Sequence, residues 1–128
     1  MRDYERDVVP PAPFLDLTIR HPDDSGQMAS LKAKIDTGAD VSAIPVSLVT
    51  QLGLPMVSKL MVEGYDGIPT SVATYGVKFE IDESLFKSQE IIAIPETYAL
   101  LGRDILNYFY LKLNGPELTF EISRKPIS

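Results

Sequence analysis

Cysteine is absent from the 128 residues. That removes thiol nucleophiles, cysteine-based zinc sites and disulfide scaffolds together. Histidine occurs once, as His21, directly before Pro22 in a turn-forming stretch, a poor setting for a general base. The sequence shows no Ser/His/Asp arrangement, no phosphate-cradling glycine loop and no metal-ligand spacing. Basic residues are outnumbered, 12 against 18 acidic ones, for a net charge of −6. Phosphate binding needs a basic surface, so neither nucleic acid nor an anionic membrane is an expected partner. No apolar run approaches the ~18 residues of a membrane span. The start, MRDYERDVVPPAP, is charged and proline-rich, unlike the apolar segment of a signal peptide. A soluble, cytoplasmic protein is the expectation.

What is present points to one β-rich domain. Apolar residues make up 45% of the chain, enough for a core without metals or disulfides at this length. Residues 1–13 read as a flexible arm, because Pro10, Pro11 and Pro13 oppose regular pairing. In FLDLTIR, Leu15, Leu17 and Ile19 share one face, and in MASLKAKI so do Leu31, Ala33 and Ile35. Together they predict a hairpin across HPDDSGQ. PVSLVTQLG predicts a two-turn helix that Gly53 closes. KLMVEGYDGIPTSVATYGVKFEI predicts a second hairpin with its tip at Gly64, Asp66 and Gly67. SQEIIAIP and ALL predict further strands, and a short helix follows Gly102. LKLNGPELTFEI predicts a closing hairpin around Asn114-Gly115, with Leu118, Phe120 and Ile122 alternating in its last arm. The expected class is all-β, a small, mostly antiparallel barrel or sandwich of about seven strands with one or two short helices. The expected domain runs over 14–123, with a tail at 124–128.

One stretch carries chemistry. KIDTGADVSAIP sets Asp36 directly after a strand of buried type, and Ala39, Val41 and Ile44 return the chain to the core. Asp-Thr-Gly by itself is an ordinary turn, since Asp accepts bonds from N–H groups two residues on. A carboxylate framed by apolar residues is what acid–base catalysis uses.

DTGAD, followed by ALLGRDIL at 99–106, resembles the retropepsin family of aspartic proteases, and the Gly-rich hairpin between them resembles the family's flap. The likeness runs over about Phe14 to Ile122. It implies a closed β-barrel of the acid-protease type. It also implies an aspartic endopeptidase without metal or cofactor, acting on peptide or protein substrates. Each chain of the family supplies one Asp-Thr-Gly turn, so the resemblance implies a homodimer with two copies of Asp36 facing each other.

The same resemblance assigns roles. Asp36, Thr37 and Gly38 form the catalytic turn, with the Thr37 hydroxyl bonding across the dimer axis. Ala39 stands where pepsin-like relatives often carry Ser, which implies a less extreme acid optimum. Asp40 pairs with Arg103 and contacts the substrate backbone. Gly64, Tyr65, Asp66, Gly67 and Ile68 form the flap tip. Arg103, Leu118, Phe120 and Ile122 support the dimer, the last three from an otherwise unpaired edge strand. Asp104 reads as a local cap or surface residue. The competing reading is a peptide-binding dimer module with the same fold and little or no turnover.

Overall fold

The computed structural model describes residues 1–23, 25–63 and 66–128. Ten strands and two short helices are built from them. Strand β1 is Arg2–Asp3, β2 Phe14–Arg20, β3 Met28–Ile35 and β4 Ala43–Pro45. Helix α1 is Val46–Leu52. Strands β5, Met56–Glu63, β6, Pro69–Ile81, and β7, Ser84–Ile94, follow. Strand β8 is Ala99–Leu101, α2 is Arg103–Leu106, β9 is Tyr110–Asn114 and β10 is Thr119–Ser123.

Seven strands form one sheet in the order β2-β3-β8-β4-β7-β6-β5, and β2 pairs again with β6. The second pairing, Thr18 with Glu80 through Arg20 with Lys78, closes a six-strand barrel and leaves β5 outside the ring. The fold is therefore all-β, as the alternation predicts, and closed, as the resemblance implies. Most pairings are antiparallel; β3 with β8 and β4 with β7 are parallel.

The core is the sum of the inward faces. Leu15, Leu17 and Ile19 from β2 meet Ala33 and Ile35 from β3, Val77, Phe79 and Ile81 from β6, Ile91 from β7 and Leu101 from β8. A period of two puts every second residue on one side, so these faces are legible in the sequence. Leu31 packs only at the margin. Helix α1 lays Val49 and Leu52 on the barrel. It ends as predicted at Gly53, whose left-handed backbone (φ 60°, ψ 42°) only glycine adopts without cost.

Three details differ from expectation. The arm is not unpaired: β1 lies antiparallel to β10, Tyr4 N–H donates to the Leu118 carbonyl at 2.8 Å, and Glu5 and Ala12 exchange backbone bonds at 2.8 and 3.2 Å. The paired residues all keep an N–H, and the prolines fall between or beyond them. Next, β10 is the middle strand of the sheet β1-β10-β9, so its two sides are taken by its own chain at Thr119 and Phe120. It is not the bare edge inferred from the alternation. Last, the closing turn is longer than Asn114-Gly115. Asn114 pairs with Thr119, and the turn takes in Leu118 at φ 55°. Asn114 Oδ1 accepts the Glu117 N–H at 3.2 Å, which holds this wider turn. Leu118 thus lies outside the strand, while Phe120 is buried within this single chain at 1% exposure, beside Tyr4.

Candidate active site

Topology places the acidic turn. Strand β8 lies between β3, which it pairs in parallel, and β4, which it pairs antiparallel. To pass from β3 to β4 the chain must arch over the end of β8. Asp36 begins that arch, and Gly102 is the first residue after β8, so the two acidic-turn motifs meet although they are distant in sequence.

The contact is close. A Cβ on Gly102 would lie 2.8 Å from the carbonyl oxygen of Ala39 and 3.0 Å from the carbonyl carbon of Val41. Only a residue without a side chain lets the arch descend this far. The requirement is steric, because the Gly102 backbone is extended at φ −89°. Glycine also suits the sharp exit into the helix, but the crowding from residues 39–41 is the stronger reason.

Three sets of bonds then hold the arch. Asp36 N–H donates to Leu101 O at 3.0 Å and continues the strand ladder by one residue. Gly38 N–H donates to Asp36 Oδ1 at 3.0 Å, and Ala39 N–H to Asp36 O at 3.2 Å, which shape the turn itself. From the other side, Arg103 N–H donates to Ala39 O at 2.8 Å, Arg103 Nη1 donates to Thr37 O at 2.8 Å, and Arg103 Nη2 pairs with Asp40 Oδ1. The predicted Asp40–Arg103 pair is present. Both side chains are exposed, so the ion pair alone contributes little. The bond to the Thr37 carbonyl is what ties the guanidinium to the acidic turn.

A second clamp was not legible in the sequence. Ser42 is fully buried, and its hydroxyl donates to Asp104 Oδ1 at 2.7 Å while its N–H donates to Asp104 Oδ2 at 3.0 Å. Gly102 N–H in turn donates to Ser42 Oγ at 3.0 Å. Ile105 N–H and Gln89 Nε2 complete the shell of Asp104 at 3.0 and 3.4 Å. Asp104 is therefore neither a plain cap nor a surface residue. It locks the far end of the arch to α2. The residues lie 62 positions apart, and no local pattern announces such a pair.

Strands β5 and β6 form the predicted long hairpin, with Glu63 opposite Pro69. Gly64 and Tyr65 lie outside the described residues. Asp66 Oδ1 accepts the Ile68 N–H at 3.0 Å, Gly67 has φ +73°, and Ile68 is 61% exposed. At the base of the hairpin, β5 carries a bulge between Met56 and Ser58. There the buried Thr74 hydroxyl donates to Glu90 Oε2 at 2.9 Å and accepts the Ser58 N–H at 3.1 Å. The Ser58 hydroxyl donates to the same carboxylate at 3.0 Å. No local pattern announces this network either.

His21 belongs elsewhere. Its Nε2 lies 3.2 Å from Gly53 O and its Nδ1 accepts the Asp23 N–H at 3.0 Å, so it ties the β2–β3 turn to the end of α1. Beside it, the Ser25 hydroxyl and N–H hold the Asp23 carboxyl below its usual range. Asp16, 2.9 Å away, raises the Lys32 ammonium. Both are surface effects on the first hairpin. Among the described residues no group of three or more His, Asp or Glu is placed to hold a metal, and no helix is long and apolar enough to cross a membrane.

No protein-family model and no curated protein matches the chain. Solved structures do. The simian foamy virus (mac) protease is 20% identical with a TM-score of 0.56, over 75% of this chain and 93% of that one. The EIAV protease, solved with the inhibitor HBY-793, is 20% identical with a TM-score of 0.57, over 75% and 86%. A retropepsin-like aspartic protease from Rickettsia conorii is 17% identical with a TM-score of 0.57, over 88% and 82%. These likenesses show the fold: the chain has the retropepsin barrel.

Proposed function

We propose that this chain is an aspartic endopeptidase, active as a homodimer, with one Asp36 from each copy. The observation that carries the reading is the Asp36-Thr37-Gly38 arch over β8, held by Arg103 on one side and by Ser42–Asp104 on the other, within a retropepsin barrel. The chain has a single such turn, so a two-carboxylate site needs a second copy.

In that dimer the two Asp36 carboxyls share one proton, since two close carboxylates resist joint ionisation. The ionised member takes a proton from a water molecule, whose oxygen attacks the scissile carbonyl carbon. The protonated member gives its proton to the carbonyl oxygen, and a tetrahedral diol forms. Its collapse breaks the C–N bond, with a proton passing to the leaving nitrogen and the dyad returned to one shared proton. Gly38 leaves room for the substrate backbone, and the Thr37 hydroxyl bonds across the axis. The β5–β6 hairpin, through Asp66, Gly67 and Ile68, closes over the peptide as a flap. Arg103 and the terminal sheet, with Leu118, Phe120 and Ile122, support the pairing of the two copies. Phe120 does so from inside its own protomer, by holding β10 in place.

A diverse peptide library, incubated at mildly acidic pH and high salt with wild type and with Asp36→Asn, tests the reading by mass spectrometry. Cleavage by the wild type that vanishes in the variant is expected. An inactive wild-type dimer would favour a peptide-binding module.

A further inference from the structure

The strand that delivers Asp36 also carries Lys34, which has no counter-ion among the described residues. Lys34 lies two residues before Asp36, in β3. Side chains alternate along a strand, and here the alternation is anchored by Ala33 and Ile35, both buried in the core. Lys34 therefore points to the opposite face. Asp36 shares that face, because its N–H extends the ladder to Leu101 O.

The sheet register supplies the neighbours. Lys34 is paired with Phe14 on one side and with Leu100 on the other, and paired residues stand side by side on one face. The Phe14 ring meets Tyr98 edge-on, with centroids 5.5 Å apart. All four residues are half-buried. Among the described residues, no carboxylate or hydrogen-bond acceptor partners the Lys34 ammonium. Phe14 and Leu100 thus flank Lys34 in the register, with Tyr98 against the Phe14 ring, and among the described residues its charge is unmet. A half-buried charge gains most from a partner that brings its own opposite charge.

We infer that Lys34 is a specificity-determining residue, and that the cleft prefers substrates with an acidic side chain, Asp or Glu, beside the scissile bond. The inference rests on the endopeptidase reading above. Residues two apart on a strand lie about 7 Å from each other. A peptide held over Asp36 therefore presents its adjacent side chain within reach of a lysine amine, with Phe14, Tyr98 and Leu100 packing the methylenes of that side chain.

The test uses full-length protein and a cleavable peptide varied only at the two residues flanking the scissile bond, each in turn to Glu, Gln, Leu or Lys. The readout is the ratio of kcat/KM between peptides, from which any general loss of activity cancels. Thermal melts confirm that the variants fold. Wild type is expected to favour Glu over Gln at one flanking position by roughly ten- to hundredfold. That ratio should shrink with added salt and fall close to one in Lys34→Met. In Lys34→Glu it should reverse in favour of the Lys peptide. Equal rates on Glu and Gln peptides, or a Glu preference that survives Lys34→Met, overturn the inference and leave the endopeptidase standing. Failure of the wild-type dimer to cleave any peptide overturns both.

Discussion

Arg103 Nη1 lies 2.8 Å from the carbonyl oxygen of Thr37, across the gap between α2 and the acidic turn. The same guanidinium reaches Asp40 with its other terminal nitrogen. One planar fork thus fixes both the middle and the end of the turn. Lysine cannot copy this, because its ammonium is a point charge on a flexible stem.

Arg103→Lys should therefore loosen the turn and weaken the proposed dimer, by roughly tenfold in its dissociation constant. Sedimentation equilibrium of the two proteins side by side measures it. A dimer constant unchanged by the substitution would show that the fork serves its own chain alone.

Asp104 and Ser42 should act as one unit. Asp104→Ala leaves the buried Ser42 hydroxyl and N–H without acceptors, a loss of about 1–3 kcal/mol. Ser42→Ala removes the hydroxyl that also accepts the Gly102 N–H, and should cost a similar amount. Because the two side chains share their bonds, the double variant should be clearly more stable than the sum of the single losses implies. Urea unfolding of the four proteins gives the coupling. Additive losses would mean that the clamp is not a unit.

Much of this fold is written in local pattern. Leu15, Leu17 and Ile19 alternate, and the structure buries all three. Gly53 closes the helix where its left-handed backbone is needed. Asp36 and Arg103 are legible through the two short motifs that carry them. What stayed hidden depends on contacts between distant segments. Ser42 and Thr74 look like ordinary polar residues until the barrel closes and buries them against Asp104 and Glu90. The arm misled for a related reason: three prolines suggest an unpaired segment, yet Arg2, Asp3, Tyr4, Glu5 and Ala12 all keep the N–H that pairing uses. Alternation gives Phe120 a strand face but not what covers that face. Tyr4 covers it.

The proposed dyad predicts a bell-shaped pH–rate profile. Full protonation removes the base that activates water, and full ionisation removes the acid that protonates the carbonyl oxygen. With Ala39 supplying no hydroxyl to the turn, the maximum should lie in mildly acidic solution. Initial rates on one peptide across the acidic and neutral range, at a concentration where the dimer persists, decide the matter. A rate that climbs steadily into alkali is incompatible with a shared proton.

Charge should also govern assembly. Each chain carries −6, so two chains bring −12 together. Like-signed partners repel over a distance set by the screening length, which falls from about 10 Å at 0.1 M salt to about 3 Å at 1 M. Salt also weakens the exposed Arg103–Asp40 pair, but that pair lies within one protomer, and its bond to the Thr37 carbonyl survives screening better than the ion pair does. Repulsion between the chains is the larger effect, so dimerisation should strengthen as sodium chloride rises, and peptide cleavage at limiting protein concentration should rise with it. Sedimentation at several salt concentrations, matched to activity in the same buffers, measures both. A dimer that falls apart as salt rises would mean that attractive ion pairs across the interface outweigh the net charge.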